Sequence, residues 1–157
     1  ARADLDFLSA IDRQIEVQSL AKESREGSKR SGRALLQVHI KLGTDGVERY
    51  QERISLGQAI GHNPVVQGLV WSGVGIRQGQ IELISAHTFC VGILGAALRL
   101  GVIGHSAAQT ILSKSHRVIV DVLDDPCPSL DEVNSFTPQQ EIALMRHEVM
   151  TSRLFTN

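Results

Sequence analysis

Apolar residues recur at helical spacing along this chain, and this periodicity restricts the folds that it can adopt. In the first segment they stand three or four residues apart, at Leu5, Leu8, Ile11 and Ile15. The nearest approach to a strand pattern is 118–120, but Val122 and Leu123 extend that run at helical spacing. We therefore expect an all-α protein, a single-domain helical bundle of about six to seven helices over residues 1–157.

Capping signals set the expected helix boundaries. Asn63-Pro64 and Thr137-Pro138 each pair an N-cap residue with a proline at the first helical position, which is a helix start. Asp4 and Ser106 are expected to cap two other helices. Residues 21–32 fit either a loop or the polar start of the next helix. The predicted helices span approximately 4–20, 33–42, 47–59, 64–73, 81–100, 106–124 and 138–151.

Composition disfavours one class of function. Sixteen basic residues meet seventeen acidic ones, and aromatic residues make up only 4% of the chain. Both features disfavour a nucleic-acid binder that relies on phosphate contacts and base stacking.

Cys90 and Cys127 form neither a CxxC pair nor a disulfide framework. Free thiols suit a reducing compartment, so we expect a cytoplasmic protein.

The uncharged run from Leu83 to Leu98 is shorter than the roughly 20 residues that a membrane span needs. We expect a buried core helix and no membrane contact. The run is rich in small residues, among them Gly92 and Gly95, and glycine costs about 1 kcal/mol in a helix relative to alanine. Close packing of another backbone would offset that cost. We interpret these small residues as part of a tightly packed core helix. The alternative is that the same face of the helix forms a subunit interface.

The titratable residues do not assemble a self-contained active site. The six histidines form no HExxH motif and no i,i+4 pair, and His87 with Cys90 supplies only two of the ligands that zinc needs. A core histidine with a satisfied ring is the preferred interpretation of His87. His147 and Glu148 are adjacent, so on a helix they point about 100° apart and form no mutual dyad. We predict no catalytic residue, no metal site and no cofactor.

The C-terminal segment is unusual because Arg153, Leu154 and Phe155 stand among its last five residues. Chain ends are usually polar, whereas arginine and aromatic side chains are favoured at interface hot spots. The segment should therefore dock on its own protein or on another. Arg99 ends the apolar helix between two leucines. That position favours the helix dipole and also suits an interface.

Four segments carry a family resemblance. The central helix and its successor resemble the pattern AA-x-RL-x-x-x-GQ-x-x-x-Q, through Gly95-Ala-Ala-Leu-Arg-Leu-Gly101 and Ile103-Gly-His-Ser-Ala-Ala-Gln109. Arg25-Glu-Gly-Ser28 and Gly32-Arg33-Ala-Leu-Leu36 resemble R-x-x-S-x-x-x-G-R-x-L, and His62-Asn-Pro-Val-Val-Gln-Gly68 resembles H-x-P-V-x-x-G. The end of the chain resembles a terminal signature through Thr137-Pro138, His147-Glu148 and Ser152-Arg153-Leu154-Phe155. All four are motifs of the urease accessory protein UreF family.

The chain departs from the family pattern at three places. His105 stands where glutamine is more usual, and Asn157 stands where serine is usual. The family normally begins with several dozen further residues that include a Pro-Thr-Gly-Gly-like motif. We therefore expect residues 1–157 to be a UreF-like domain that lacks its N-terminal part.

The resemblance implies an all-α adaptor, or co-chaperone, that is not itself an enzyme and helps to deliver nickel to apo-urease. Such proteins assemble with the UreD/UreH scaffold and the GTPase UreG, modulate the GTPase cycle and are often homodimeric. The tail is then expected to dock on the scaffold through Arg153, Leu154 and Phe155. Arg99 and Gln109 are expected near a subunit or partner interface, and His147 and Glu148 should position the last helix by hydrogen bonds. Two alternatives remain open: a metal-dependent helical enzyme using His147 and Glu148, and a plain helical dimerisation module.

Overall fold

The protein is helical throughout the part that its computed structural model describes, which comprises residues 4–129, 132–134 and 137–150. Seven α-helices and no strand occur in these ranges, so the all-α prediction is confirmed. They are α1 (Leu5–Gln18), α2 (Lys22–Lys41), α3 (Val47–Ser55), α4 (Asn63–Gly73), α5 (Gln78–Arg99), α6 (His105–Leu123) and α7 (Pro138–Glu148).

The helices group into two compact units. Unit 1 comprises Ala1–Gly75 and Leu130–Asn157, and unit 2 comprises Ile76–Ser129. Unit 1 therefore contains α1 to α4 and α7, whereas unit 2 contains α5 and α6. A single domain over residues 1–157 stays a prediction.

Some helix starts follow the expected local chemistry and others do not. Asp4 caps α1, because its Oδ1 accepts hydrogen bonds from the amides of Asp6 and Phe7 at 3.0 and 3.1 Å. The polar residues 21–32 form the first half of α2 and not a loop. Two predicted caps are wrong: Asn63 already lies inside α4, and Ser106 lies inside α6 after Gly104. The N-cap residues of both helices make no side-chain capping hydrogen bond. Residue type alone therefore placed the predicted caps one or two residues too late in the chain.

The core of unit 1 lies where α2, α3 and α4 meet, and the apolar side of α1 packs against it. Its buried members are Leu36, Val47, Tyr50, Ala59, Val65, Val66, Leu69 and Val70. Helices α2 and α4 approach closely at Gly32. A Cβ atom there would lie 2.8 Å from the backbone nitrogen of Asn63 and closer still to the carbonyl oxygen of Gly61. Only glycine fits this contact.

A buried carboxylate joins α1 to the segment that precedes α4. Asp12 is fully buried, and its Oδ2 accepts hydrogen bonds from the Tyr50 hydroxyl at 2.7 Å and from the amides of Ile60 and Gly61 at 2.6 Å each. Its Oδ1 accepts from the amide of His62 at 2.9 Å. Four donors compensate the burial of one charge. Burial, and then the contact with Asp12, raises the pKa of Tyr50, which therefore stays a donor.

A buried histidine links three helices next to that carboxylate. The His62 ring is fully buried, with Nε2 2.8 Å from Oε2 of Glu16 and Nδ1 3.1 Å from Oγ of Ser28. Glu16 belongs to α1 and Ser28 to α2, while His62 is the N-cap residue of α4. Lys29 pairs with the same Glu16 carboxylate at 3.3 Å. The joint between α1, α2 and α4 is thus held by polar contacts inside an apolar unit.

Unit 2 consists of α5 and α6 packed against each other. The prediction of a buried core helix is wrong for α5: none of its residues is buried, and Phe89 is 67% exposed. Within unit 2, α6 covers one side of α5, whereas burial requires neighbours all around. Among the described helices, α5 alone is long and apolar enough to cross a membrane by length and composition. An interface helix without its partner meets the same two criteria.

Candidate partner-binding surfaces

Helix α7 lies against α2 with one face. Glu141, Leu144 and Glu148 recur at helical spacing on that face, with His147 beside them. The helix begins at Pro138 after Thr137, as the proline signal predicts. The contacts of this face with α2 are polar and specific.

The carboxylates of α7 cap the beginning of α2. Ala21, the N-cap residue of α2, offers no side-chain acceptor of its own. The amide of Glu23 donates instead to Oε1 of Glu148 at 2.8 Å, and the amide of Ala21 donates to Oε2 of Glu141 at 3.2 Å. Amides at a helix start carry partial positive charge, so a carboxylate there is stabilising. We call this set of contacts between α7 and the start of α2 the α7 clasp.

His147 completes the α7 clasp. Its Nδ1 lies 2.8 Å from Oε2 of Glu23, so Glu23 contacts α7 through both its side chain and its amide. His147 and Glu148 do not bond to each other in these contacts; each bonds to Glu23. Both side chains are thus engaged in holding α7 on α2.

An open groove of about 510 Å³ runs between α2, the start of α4 and α7. Small polar side chains of α2 form one wall, and α7 forms the other. The groove is lined by Ser24, Ser28, Ser31, Asn63, Leu144 and His147, among others. In the described part of the chain, no three His, Cys, Asp or Glu residues gather into a possible metal site.

Two of the sequence motifs form one structural joint. The first motif lies on α2 and the second begins α4, and they meet where Ser28 contacts the His62 ring and Gly32 abuts the backbone before α4. Arg25 donates to two carbonyls that follow α1, at 2.6 and 2.7 Å. Arg33 donates twice to the carbonyl just before Gly61, at 3.1 and 2.9 Å. The motif residues therefore fix how α1, α2 and α4 pack.

Arg99 and Gln109 are both exposed in unit 2. Arg99 is the last residue of α5, and its Nη1 lies 3.5 Å from the position that a Cβ of Gly95 would occupy. Its side chain therefore folds back along α5. Gln109 lies near the start of α6, beyond the turn that follows Arg99. Arg153, Leu154 and Phe155 lie outside the described residues.

Unit 2 exposes many large apolar side chains for a pair of helices. On α5 they include Leu83, Phe89, Val91 and Ile93, and on α6 they include Ile111, Val118, Val120 and Val122. Only Ala108 and Ile119 of unit 2 are buried hydrophobic residues in the described chain. Gly92 has nothing within 4 Å of its Cβ position, so close packing within the described chain does not explain this glycine.

The histidines divide by unit. In unit 1, His39 contacts Thr44 at 2.8 Å, and the rings of His62 and His147 are hydrogen-bonded as described. The interpretation of His87 as a core histidine with a satisfied ring is wrong. Its half-buried ring faces His116 of α6 and hydrogen-bonds to no described residue. Helix α6, its neighbour within unit 2, supplies no hydrogen bond to this ring.

Sequence reasoning missed the buried contact between Asp12 and Tyr50, although one signal was present. Asp12 occupies the position between Leu8 and Ile15 on the apolar stripe of α1, where an uncompensated charge would be costly. A carboxylate at such a position indicates a buried polar contact. The partners Tyr50 and His62 are 38 and 50 residues away, so no local pattern identifies them.

Comparison with known proteins places this sequence in a family. The UreF family model matches residues 1–116. A urease accessory protein UreF from Trichodesmium erythraeum (strain IMS101) is 34% identical over 159 residues, covering 98% of this chain and 67% of that protein. Proteins of the same description from Actinobacillus pleuropneumoniae and Paenarthrobacter aurescens (strain TC1) are 26% and 28% identical. Those alignments cover 99% and 92% of this chain, and 69% and 66% of the relatives.

No solved structure matches the chain significantly. The family assignment therefore rests on the sequence comparisons, in which both the family model and the relatives cover most of the chain. The chain belongs to the UreF family, a family of urease accessory proteins and not of enzymes.

Proposed function

We propose that the chain is an adaptor, or co-chaperone, for the incorporation of nickel into apo-urease. It bridges a UreD/UreH-type scaffold protein and a UreG-type GTPase, and it modulates the GTPase. Membership of the UreF family supports this role. The structural observation that carries it is the α7 clasp, which anchors the last described helix immediately before the C-terminal segment.

The C-terminal segment is the proposed contact with the scaffold. An anchored α7 would fix the point from which the C-terminal segment starts, which lowers the entropy lost when Arg153, Leu154 and Phe155 bind. Deletion of residues 152–157 should reduce capture of the UreD/UreH-type scaffold in a pull-down at least about tenfold. Arg146→Ala is the control, since it removes an exposed cation from the neighbouring helix. Undiminished capture by the deletion variant rejects the tail as the docking segment.

Arg99 and Gln109 are the proposed contacts with a second subunit or with the GTPase. Both are exposed in unit 2, which also exposes many large apolar side chains. The double variant Arg99→Ala/Gln109→Ala should weaken GTPase binding and abolish any change in its rate of GTP hydrolysis. Arg117→Ala removes an exposed arginine farther along α6 and is the matched control. If both variants weaken GTPase binding equally, the loss of one positive charge explains the effect, and a specific contact of Arg99 and Gln109 is rejected.

Homodimerisation is proposed through the exposed face of α5. Phe89 and Ile93 flank Gly92, whose open position leaves room for a second backbone. Replacing Gly92 by leucine should shift sedimentation toward the monomer in analytical ultracentrifugation. Val17→Leu is the control, because Val17 is 79% exposed on α1 of unit 1. A wild-type chain that sediments as a monomer at every concentration tested rejects this interface.

The alternative functions predict different results. In the clasp, His147 and Glu148 both bond to α2, which disfavours their use as an acid–base pair. A metal-dependent enzyme would hold a stoichiometric metal that survives dialysis. A plain dimerisation module would not co-purify with the GTPase. The free thiols of Cys90 and Cys127 support the proposed cytoplasmic location.

A further inference from the structure

Two histidines of unit 2 face each other across α5 and α6. The ring centroids of His87 and His116 are 5.4 Å apart, and the ring planes are inclined by 52°. His87 is half-buried and His116 is exposed. Neither ring hydrogen-bonds to any residue that the structure describes, whereas the histidine rings of unit 1 all do. The nitrogens of both rings therefore have no hydrogen-bond partner among the described residues.

The pair borders an open cavity of about 400 Å³ within unit 2. Its other walls are the apolar side chains of Leu83, Ile119 and Val120. An apolar wall offers no hydrogen bond to an imidazole, so it does not compete for the ring nitrogens. The cavity is large enough to admit an ion with several water ligands.

The ring separation fits chelation of one ion. Two imidazoles bound to a single ion, with metal–nitrogen bonds of about 2.0–2.1 Å and a near-tetrahedral angle, have centroids about 5 Å apart. The observed 5.4 Å lies near that value. Imidazole is a preferred ligand of borderline divalent ions such as Zn²⁺, Ni²⁺ and Cu²⁺.

We propose that His87 and His116 form a two-histidine site that binds one borderline divalent transition-metal ion per chain. Water molecules complete the coordination, because the described chain brings no third His, Cys, Asp or Glu to the pair. Two protein ligands make the ion exchangeable, in contrast to the closed four-ligand sites that hold structural zinc. The site requires only unit 2 and does not depend on the adaptor function proposed above.

Calorimetric titration of the complete chain tests the site. The protein is treated with a chelator, dialysed and titrated with ZnCl₂ or NiCl₂. The wild type should bind one ion at this pair, and His87→Gln or His116→Gln should each weaken that binding about tenfold or more. The double variant should lose little beyond either single variant. His105→Gln, which removes an exposed histidine at the start of α6, should bind like the wild type.

Two further measurements distinguish metal binding at this pair from metal binding by other residues and from a ring contact that binds no metal. Zn²⁺ should shift the imidazole resonances of His87 and His116 in nitrogen-15 NMR spectra and leave those of His105 unchanged. Binding should persist in a Cys90→Ser/Cys127→Ser background. The proposal is overturned if both histidine variants bind as the wild type does while their circular dichroism remains helical. Loss of binding on cysteine replacement, or absence of the NMR shifts, also overturns it.

Discussion

Tyr50 donates its hydroxyl hydrogen to the buried carboxylate of Asp12 across 2.7 Å. The contact joins α3 to α1, and both side chains are fully buried. The contact belongs to the network that fixes the backbone before α4. Its loss should therefore lower the stability of unit 1 as a whole.

Replacement of Tyr50 by phenylalanine should lower the free energy of unfolding by about 1–3 kcal/mol. The ring still fills the core, but Asp12 loses one of its four donors. Urea denaturation followed by circular dichroism measures the change. Ser55→Ala removes an exposed hydroxyl at the end of α3 and should stay within about 0.5 kcal/mol of the wild type. Equal stability of Tyr50→Phe and wild type would show that the amide donors alone suffice for Asp12.

Gly32→Ala should destabilise the protein by about 3 kcal/mol, because the new methyl group meets backbone atoms of the α4 start that cannot rotate away. Gly68→Ala in α4 provides a matched comparison. Nothing lies within 4 Å of its Cβ position, so the higher helix propensity of alanine should stabilise by up to about 1 kcal/mol. Thermal unfolding of both variants measures whether each substitution lowers or raises the stability. The same sign for both would contradict the close approach of α2 and α4.

The contacts of Glu16 predict that the free energy of unfolding falls at acidic pH. Burial opposes its ionisation, but hydrogen bonds with His62 and Lys29 outweigh that effect and hold the pKa of Glu16 below its ordinary value of 4.5. A carboxylate with a lowered folded-state pKa contributes stability above its unfolded-state pKa and loses it as the pH falls through the folded-state value. Stability should therefore decline as the pH falls below about 4.5.

The Glu16→Gln variant should show a shallower decline of unfolding free energy over this acid range than the wild type. Glu48→Gln, on the exposed side of α3, should leave the slope close to that of the wild type. Urea titrations at a series of pH values measure both slopes. If Glu16→Gln reproduces the wild-type slope, the contacts with His62 and Lys29 do not contribute to the acid response.

The α7 clasp can be tested by hydrogen exchange. Glu148→Ala removes the acceptor for the Glu23 amide, so peptides that cover α7 and the start of α2 should exchange faster. Glu148→Gln keeps an acceptor but removes the charge, and its effect should be intermediate. Gln140→Ala alters an exposed residue of α7 and serves as the control. Equal protection of α7 in all four proteins would mean that these contacts do not hold the helix.

Local signals in the sequence were sufficient for the helical fold. The proline after Asn63 and the proline after Thr137 each lie at the start of an observed helix, because capping depends on a few neighbouring residues. Long-range features could not be obtained this way. The joint of Asp12, Tyr50 and His62 depends on residues far apart in the chain, and the exposure of α5 depends on how many helices surround it.

The α7 clasp also has a consequence for biosynthesis. The carboxylates that cap α2 follow their amide donors by 120 and 125 residues, and all of unit 2 is synthesised between them. While the ribosome is still translating unit 2, the emerging chain has a complete α2 whose first amides lack these acceptors. The core of unit 1, whose members all precede α5, can form at that stage, but the capping of α2 by Glu141 and Glu148 must wait until α7 has left the exit tunnel.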